Sequence, residues 1–399
     1  MNGRVRVIIG VEDLAGHALP ALALARSLAA RGHEVLVHAI ERWRPMVDRL
    51  GLRFDGGTDE IVSDASAADG RVAVIRALAA SAERFGADVV VSDALTLTPA
   101  LAAEAAGIRR AILFPEVYPY VTERELPPFS LGLLPPRTRL GAATWRLAAP
   151  LARTRLPSTA WLRASRTSLN AERRALGLAP LESFDRPRAD ELHLVATLPH
   201  LEYPRVWPAN VQVTGPLILD PPAPAVKLPP GNEPLVLVAP STAKDPDGRL
   251  VRTSIAALAD EPVRILVTLS GRRDLDDLAT PPNCTVVDWV DFSLAIPAAS
   301  LVVCHGNHGT VVRALSEGVP VLVSPAMPDD AEHGARVAWA GAGAMVPGRL
   351  LGAASLRAAA RRLLAGREYV ERARQIAGWA REHDGAERAA ALVEEHACA

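Results

Sequence analysis

The sequence predicts an α/β protein built from two Rossmann-like halves, each a parallel sheet flanked by helices. Three observations carry that reading. Short aliphatic runs alternate with segments whose apolar residues recur at helical spacing. A Pro-rich stretch, GPLILDPPAPAVKLPPGNEP at 215–234, interrupts the alternation, and the same alternation restarts after it. At 399 residues the chain also exceeds one typical domain, and its 49% hydrophobic content is enough to fill a large core.

In the first half, Val5–Ile9 reads as a buried strand. Leu19–Ala30 follows, with apolar residues on a helical period and Pro20 in the first turn, where a missing N–H costs little. Gly32 stops that helix and His33 is placed to act on its C-terminal dipole. Glu34–Ala39 is the next strand and completes one βαβ unit; Asp88–Ser92, then Pro99–Ala106 and Gly107, repeat it. Residues 125–169 differ, being Pro- and Leu-rich, with Trp145 and Trp161 and no clean strand. They read as an irregular helical insertion that either presents an apolar lining or forms a packing or dimer surface. Beyond the 215–234 connector come strand Leu235–Ala239, helix Arg249–Ala259 and strands Arg264–Thr268, Thr285–Asp288 and Leu301–Cys304. Helix Thr310–Glu317 and strand Val319–Ser324 follow.

Composition removes several function classes. A net charge of -1 with scattered basic residues gives no electrostatic footprint for nucleic acid. Three cysteines, Cys284, Cys304 and Cys398, are too few and too far apart for a disulfide framework and suit a reducing cytoplasm. The first strand starts close to Met1 without a signal-peptide pattern, and no apolar run is long enough to span a bilayer. The expectation is a cytoplasmic protein.

The stretch HGNHGT, residues 305–310, lies between a predicted strand and a predicted helix. Glycines there let the backbone approach a ligand closely, and the exposed N–H groups with the positive end of the helix dipole suit a phosphate or diphosphate. His305 and Thr310 add side-chain donors, and Arg313, one turn further, adds charge. Two other readings stand beside this one: a tight turn whose glycines only supply positive φ, and a metal site using Cys304, His305 and His308.

Read with its flanks, DWVDFSLAIPAASLVVCHGNHGTVVRALSEGVPVLVSPAMPDDAEHGARV (288–337) resembles the nucleotide-sugar signature of the family 1 glycosyltransferases of GT-B fold. The likeness is to the bacterial natural-product, macrolide/antibiotic-type subgroup. The shared pattern is a Trp, then His-Gly-Gly-x-Gly-Thr, Gly-x-Pro, a Pro, an Asp-Gln pair and an Asn-Ala. The resemblance implies that Trp289 stacks on the nucleotide base, that His305, Gly306, Asn307, Gly309 and Thr310 hold the diphosphate, and that Asp329 and Asp330 meet the donor sugar. LVLVAPSTAKD (235–245) resembles the first loop of the same domain, with Ser241 and Thr242 toward the donor. The chain departs from the pattern at Asp291 and Phe292, Asn307, Arg313, Asp330 and His333. GHALPALALARSLAARGHEV (16–35) resembles the family's Gly-His-x-x-Pro opening, which makes His17 the catalytic base, and ADVVVSDALTLTPALAAEAAG (87–107) supplies Asp93 to orient it.

The resemblance implies an acceptor-binding domain at 1–214, a linker at 215–234, a nucleotide-sugar domain at 235–384, and a helix at 385–399 returning to the first domain. The two domains would face each other across a cleft. It further implies an inverting transfer from a TDP- or UDP-sugar to a hydroxyl of an apolar small molecule, with no metal or other cofactor. Two alternatives remain at this level: a catalytically silent accessory or ligand-binding protein on the same fold, and a sugar-nucleotide epimerase.

Overall fold

The computed structural model describes residues 3–56, 68–120, 123, 126–129, 131–155, 167–182, 187–223, 226–240, 245–272, 275 and 278–399. Two fully parallel sheets organise them. In the first, β1 (Arg6–Gly10), β2 (Glu34–His38), β3 (Arg53–Asp55), β4 (Val89–Asp93), β5 (Arg109–Phe114), β6 (Glu191–Val195) and β7 (Val211–Val213) run in the order β3-β2-β1-β4-β5-β6-β7. In the second, β8 (Leu235–Ala239), β9 (Arg264–Thr268), β10 (Cys284–Val287), β11 (Leu301–Cys304), β12 (Val321–Val323) and β13 (Gly343–Met345) run β10-β9-β8-β11-β12-β13. The aliphatic runs become strands because helices cover both sheet faces, so the central strands are buried on both sides: Val7, Ile9, Val89, Val236 and Val302 have no accessible surface.

Each sheet reverses direction once. The order switches between β1 and β4 in the first sheet and between β8 and β11 in the second. Successive crossover connections leave on opposite faces at such a point, which opens a crevice beyond the carboxyl ends of the two strands. The segments that start at those four strand ends therefore frame the ligand-binding ground of the molecule.

The last helix, Gly385–Cys398, belongs to the first domain's core. Ala389, Ala390 and Val393 pack with Leu22, Leu28 and Val37, while Glu394 pairs with Arg31 at 2.6 Å and Glu387 with Ser27. His33 does not cap the helix before it. The turn at Gly32 (φ +90°) carries it onto the sheet edge, where Nδ1 accepts the Val5 N–H at 3.3 Å and Nε2 faces Glu394 at 3.4 Å. In the insertion, helix Arg139–Arg155 buries Ala149 and leaves Leu140 and Leu147 78% and 82% exposed, while Leu169 faces the first domain; Trp161 lies outside the described residues.

One buried cation joins the halves. Arg336, on helix Pro328–Ala340, has no accessible surface. Its Nε donates to Glu332 at 2.9 Å one turn back, and its Nη1 donates to Glu202 at 2.9 Å and to the Leu201 carbonyl at 3.0 Å, both just beyond β6. Removing the guanidinium leaves buried Glu332 without its cation and Glu202 with Arg205 alone, so Arg336→Met should lose about 3 to 5 kcal/mol of stability. Urea unfolding followed by far-UV circular dichroism measures this; a loss below about 1 kcal/mol would show that the two carboxylates re-solvate freely.

Candidate active site

The first switch point brings together the two N-terminal residues singled out in the sequence. Asp93 ends β4 and is buried; its Oδ1 accepts the Leu95 N–H at 2.8 Å, which fixes the carboxylate. His17 sits in the first turn of helix Ala15–Ala30, directly after the β1 loop. Its Nδ1 lies 2.9 Å from Asp93 Oδ2 and 3.1 Å from Oδ1, so Nδ1 carries the hydrogen and Nε2 is left for a ligand. Burial by itself lowers the imidazole's pKa. The hydrogen bond and charge of Asp93, with Glu116 and Glu12 behind it, outweigh burial and leave it raised above 6.5. Glu12 and Glu116 were not among the sequence candidates; each follows a strand end in the same crevice, but neither belongs to a recognisable pattern.

The second switch point holds the HGNHGT loop. Gly306 has φ +103°, and a Cβ there would lie 2.7 Å from the Asp330 carbonyl oxygen and 2.9 Å from Val323 Cγ1, so only glycine fits. Gly309 is under no such steric demand, since a Cβ would meet Asn307 Oδ1 at 3.4 Å. The Asn307 side chain caps helix His308–Ser316 by accepting the Thr310 N–H at 3.4 Å. His305 Nδ1 donates to the Ser324 carbonyl at 3.0 Å. Its buried Nε2 makes no hydrogen bond and stands 3.5 Å from Asp245 Oδ2. Cys304 belongs to the core rather than to a metal site, and burial pushes its thiol up to about 12. Among the described residues no group of three or more His, Cys, Asp or Glu is arranged to hold a metal.

Trp289 is 48% exposed and rests against Gly271, where a Cβ would come within 2.9 Å of the indole, so one ring face is free to stack. Asp329 is exposed at the start of helix Pro328–Ala340. Asp330 is buried and its Oδ2 accepts the Met327 N–H at 3.1 Å, a helix cap that commits this oxygen. Asp291 is likewise a cap, accepting from Ser293 N at 2.8 Å. Arg313 does not reach toward the loop, because it pairs with Asp220 and the Leu219 carbonyl of the connector. Ser241 and Thr242 lie outside the described residues.

The two switch points face each other. A Cβ on Gly16 would lie 3.7 Å from the Asn307 amide nitrogen. His308 stacks obliquely on His333 with ring centroids 4.9 Å apart, and His333 Nε2 is 3.8 Å from Glu116 of the first domain. Burial, with His333 beside it, holds the His308 imidazole well below 6.5 and thus neutral. On the first-domain side a small cavity is lined by Ala94, Leu97, Phe114, Tyr120, Leu169 and Leu181, together with the charged Glu104, Arg110 and Arg188. It starts one residue from Asp93.

Comparison with known proteins places this geometry. Residues 252–393 match the family described as erythromycin biosynthesis protein CIII-like, C-terminal domain. The chain is 29% identical to 4'-demethylrebeccamycin synthase of Lentzea aerocolonigenes, over 90% of this chain and 91% of that protein. It is 28% identical to O-mycaminosyltylonolide 6-deoxyallosyltransferase of Streptomyces fradiae, over 98% of both. Among solved structures it superposes on the kitacinnamycin glycosyltransferase with TM-score 0.77 at 23% identity, covering 99% of this chain and 100% of that one. It also superposes on the glycosyltransferase VinC in complex with dTDP, with TM-score 0.69 at 20% identity, over 98% and 99%.

The dyad can be tested on the protein alone. His17 should titrate above 6.5 in a histidine-resolved NMR pH series, and Asp93→Asn should move the midpoint down, because burial then acts without the opposing charge. An unchanged midpoint would show that Asp93 does not hold the imidazolium.

Proposed function

We propose that this family 1 glycosyltransferase of GT-B fold transfers a sugar from a nucleoside diphosphate to a hydroxyl of an apolar natural-product acceptor, with inversion and with His17 as the general base. The observation that carries the proposal is the His17–Asp93 pair facing the glycine-bearing loop across the cleft. A silent binding protein would have no use for a buried carboxylate that orients an imidazole still partly open to the cleft.

The chemistry follows from which atoms are committed. His17 Nδ1 is held by Asp93, so Nε2 takes the acceptor proton as the hydroxyl attacks the anomeric carbon. Asp93 stabilises the imidazolium that results. As the glycosidic bond to the diphosphate breaks, negative charge grows on the leaving group. The N–H groups at the start of helix His308–Ser316 and the His305 ring are fixed where they can stabilise it. A single in-line displacement inverts the anomeric centre. No metal is needed in this scheme, since helix and side-chain donors meet the diphosphate. Trp289 would stack on the base and Asp329 would meet the sugar. The dTDP bound to VinC favours a TDP-sugar over a UDP-sugar, and the aromatic and leucine walls of the first-domain cavity favour an apolar acceptor. A thermal-shift comparison of TDP, UDP and GDP tests the donor: at 100 times its Kd the right one adds about 2.7 kcal/mol of stability, and no shift with any of them would sink the donor site.

His17→Ala should lower transfer about 10²- to 10⁴-fold with nucleotide binding intact, Asp93→Asn should lower it by less, and the double variant should fall far short of the product of the two. Because the base must be neutral, the wild-type rate should climb through an acid limb lying above pH 6.5. Rates of the wild type and His17→Ala that coincide on an aliphatic alcohol would remove His17 from the mechanism. His305→Ala should cost about 2.7 to 4 kcal/mol of transition-state stabilisation while leaving the fold intact, read from kcat/KM for donor at saturating acceptor.

A further inference from the structure

We propose that Arg272 grips the diphosphate of the donor, and that Asp245 is the positioning carboxylate that aims Arg272 and His305 at the same place. The inference rests on the nucleotide-sugar reading above and adds two residues to it. Asp245, Arg272 and His305 follow the carboxyl ends of β8, β9 and β11, which are neighbours in the second sheet. Their side chains are 3%, 10% and 4% exposed. The guanidinium and the imidazole approach one oxygen: Asp245 Oδ2 lies 3.4 Å from Arg272 Nη1 and 3.5 Å from His305 Nε2. Those distances are long for charge-assisted hydrogen bonds, which close to about 2.7–2.9 Å. Asp245 Oδ2 and His305 Nε2 accordingly have no hydrogen-bond partner although both are buried.

Buried polar atoms left in this state in a native fold point to a missing partner. A carboxylate offers two oxygens, and Oδ1 of Asp245 is turned toward the Leu250 N–H at 3.4 Å. A diphosphate brings several anionic oxygens and can satisfy a guanidinium and an imidazole together. The path of the chain supports the same location. Ser270 (φ +54°) and Gly271 (φ +79°) turn the backbone sharply after β9. Gly271 lies under Trp289, so Arg272 is the next residue on from the base-stacking platform. Base, Arg272 and the His305 loop then line up in the order in which a nucleotide presents base and diphosphate. Asp245 itself repels an anion, so its part is to orient the two donors rather than to bind.

The test is calorimetric titration of TDP, UDP and thymidine into the full-length wild type, Arg272→Met, Arg272→Lys and Asp245→Asn, with the unfolding midpoint of each recorded without ligand. Arg272→Met should weaken diphosphate binding about 10- to 100-fold while changing thymidine binding little. Arg272→Lys should fall in between, because the charge stays and the planar fork is lost; it also carries the test if Arg272→Met fails to fold. Asp245→Asn should weaken diphosphate binding by less, and adding it to Arg272→Met should cost less than it does in the wild type, because only the aim of His305 is then left to lose; independent structural roles would instead give additive losses. Folded Arg272 variants that bind the diphosphate as tightly as wild type overturn the assignment alone. Wild type that binds neither TDP nor UDP overturns the nucleotide-sugar reading and this inference with it.

Discussion

The relative placement of the two sheets depends on a guanidinium that never meets water. A buried arginine is costly unless its charge is answered, and Arg336 draws its answers from both halves: Glu332 on its own helix, Glu202 and the Leu201 carbonyl beyond β6, with the Tyr203 ring 4.2 Å below. Glu202 also accepts the Tyr118 N–H at 2.7 Å and pairs with Arg205 at 3.1 Å. The carboxyl end of β5, the segment after β6 and the helix behind the HGNHGT loop are thereby tied to one centre. Val117, Leu198 and Leu201 continue the second domain's apolar cluster across the boundary. A cleft built on such a joint opens only by motion that keeps this centre intact.

The site divides its labour according to charge. Three carboxylates, Glu12, Asp93 and Glu116, act on His17 from the first sheet's side and favour a proton there. On the other side stand helix N–H groups, His305 and Arg272, all suited to an anion. In the proposed mechanism, proton acceptance and leaving-group stabilisation would therefore occur in opposed fields, with the substrate bridging them. His333 and Glu116, 3.8 Å apart, are where those fields meet.

Much of this was legible in the primary structure, for a physical reason. Parallel strands covered on both faces need unbroken aliphatic runs, and VRVIIG, ADVVVSD and LVLVAP are such runs. By contrast, β6 (ELHLV) carries Glu191 and His193 because its face meets Arg110 and Tyr118, so its polarity hid it. Gly306 and Trp289 stand in a short motif, and the pairing of His17 with Asp93 across 76 positions was implied by the family resemblance of the two segments that carry them. Arg336, Asp245 and Arg272 were not, because their meaning lies in partners 134 residues or several elements away. The same limit explains His33 and Arg313: each was read by its local neighbours, and each is used by a distant segment. Composition marked the 125–169 insertion as apolar, but leucines at helical spacing do not say which way the helix turns them: Leu140 and Leu147 face outward and Leu169 lines the cavity.

Helix Gly385–Cys398 has a consequence for how the molecule comes into being. The first domain's core is lined by Leu22, Leu28 and Val37 from the beginning of the chain and closed by Ala389, Ala390 and Val393 from its end, with Ser27 joined to Glu387 across 360 positions. During synthesis, the half that emerges first therefore waits with one apolar flank uncovered until the half that emerges last has been made. Folding of the two units is then not sequential, as is usual for domains strung along a chain, but concerted at the final step.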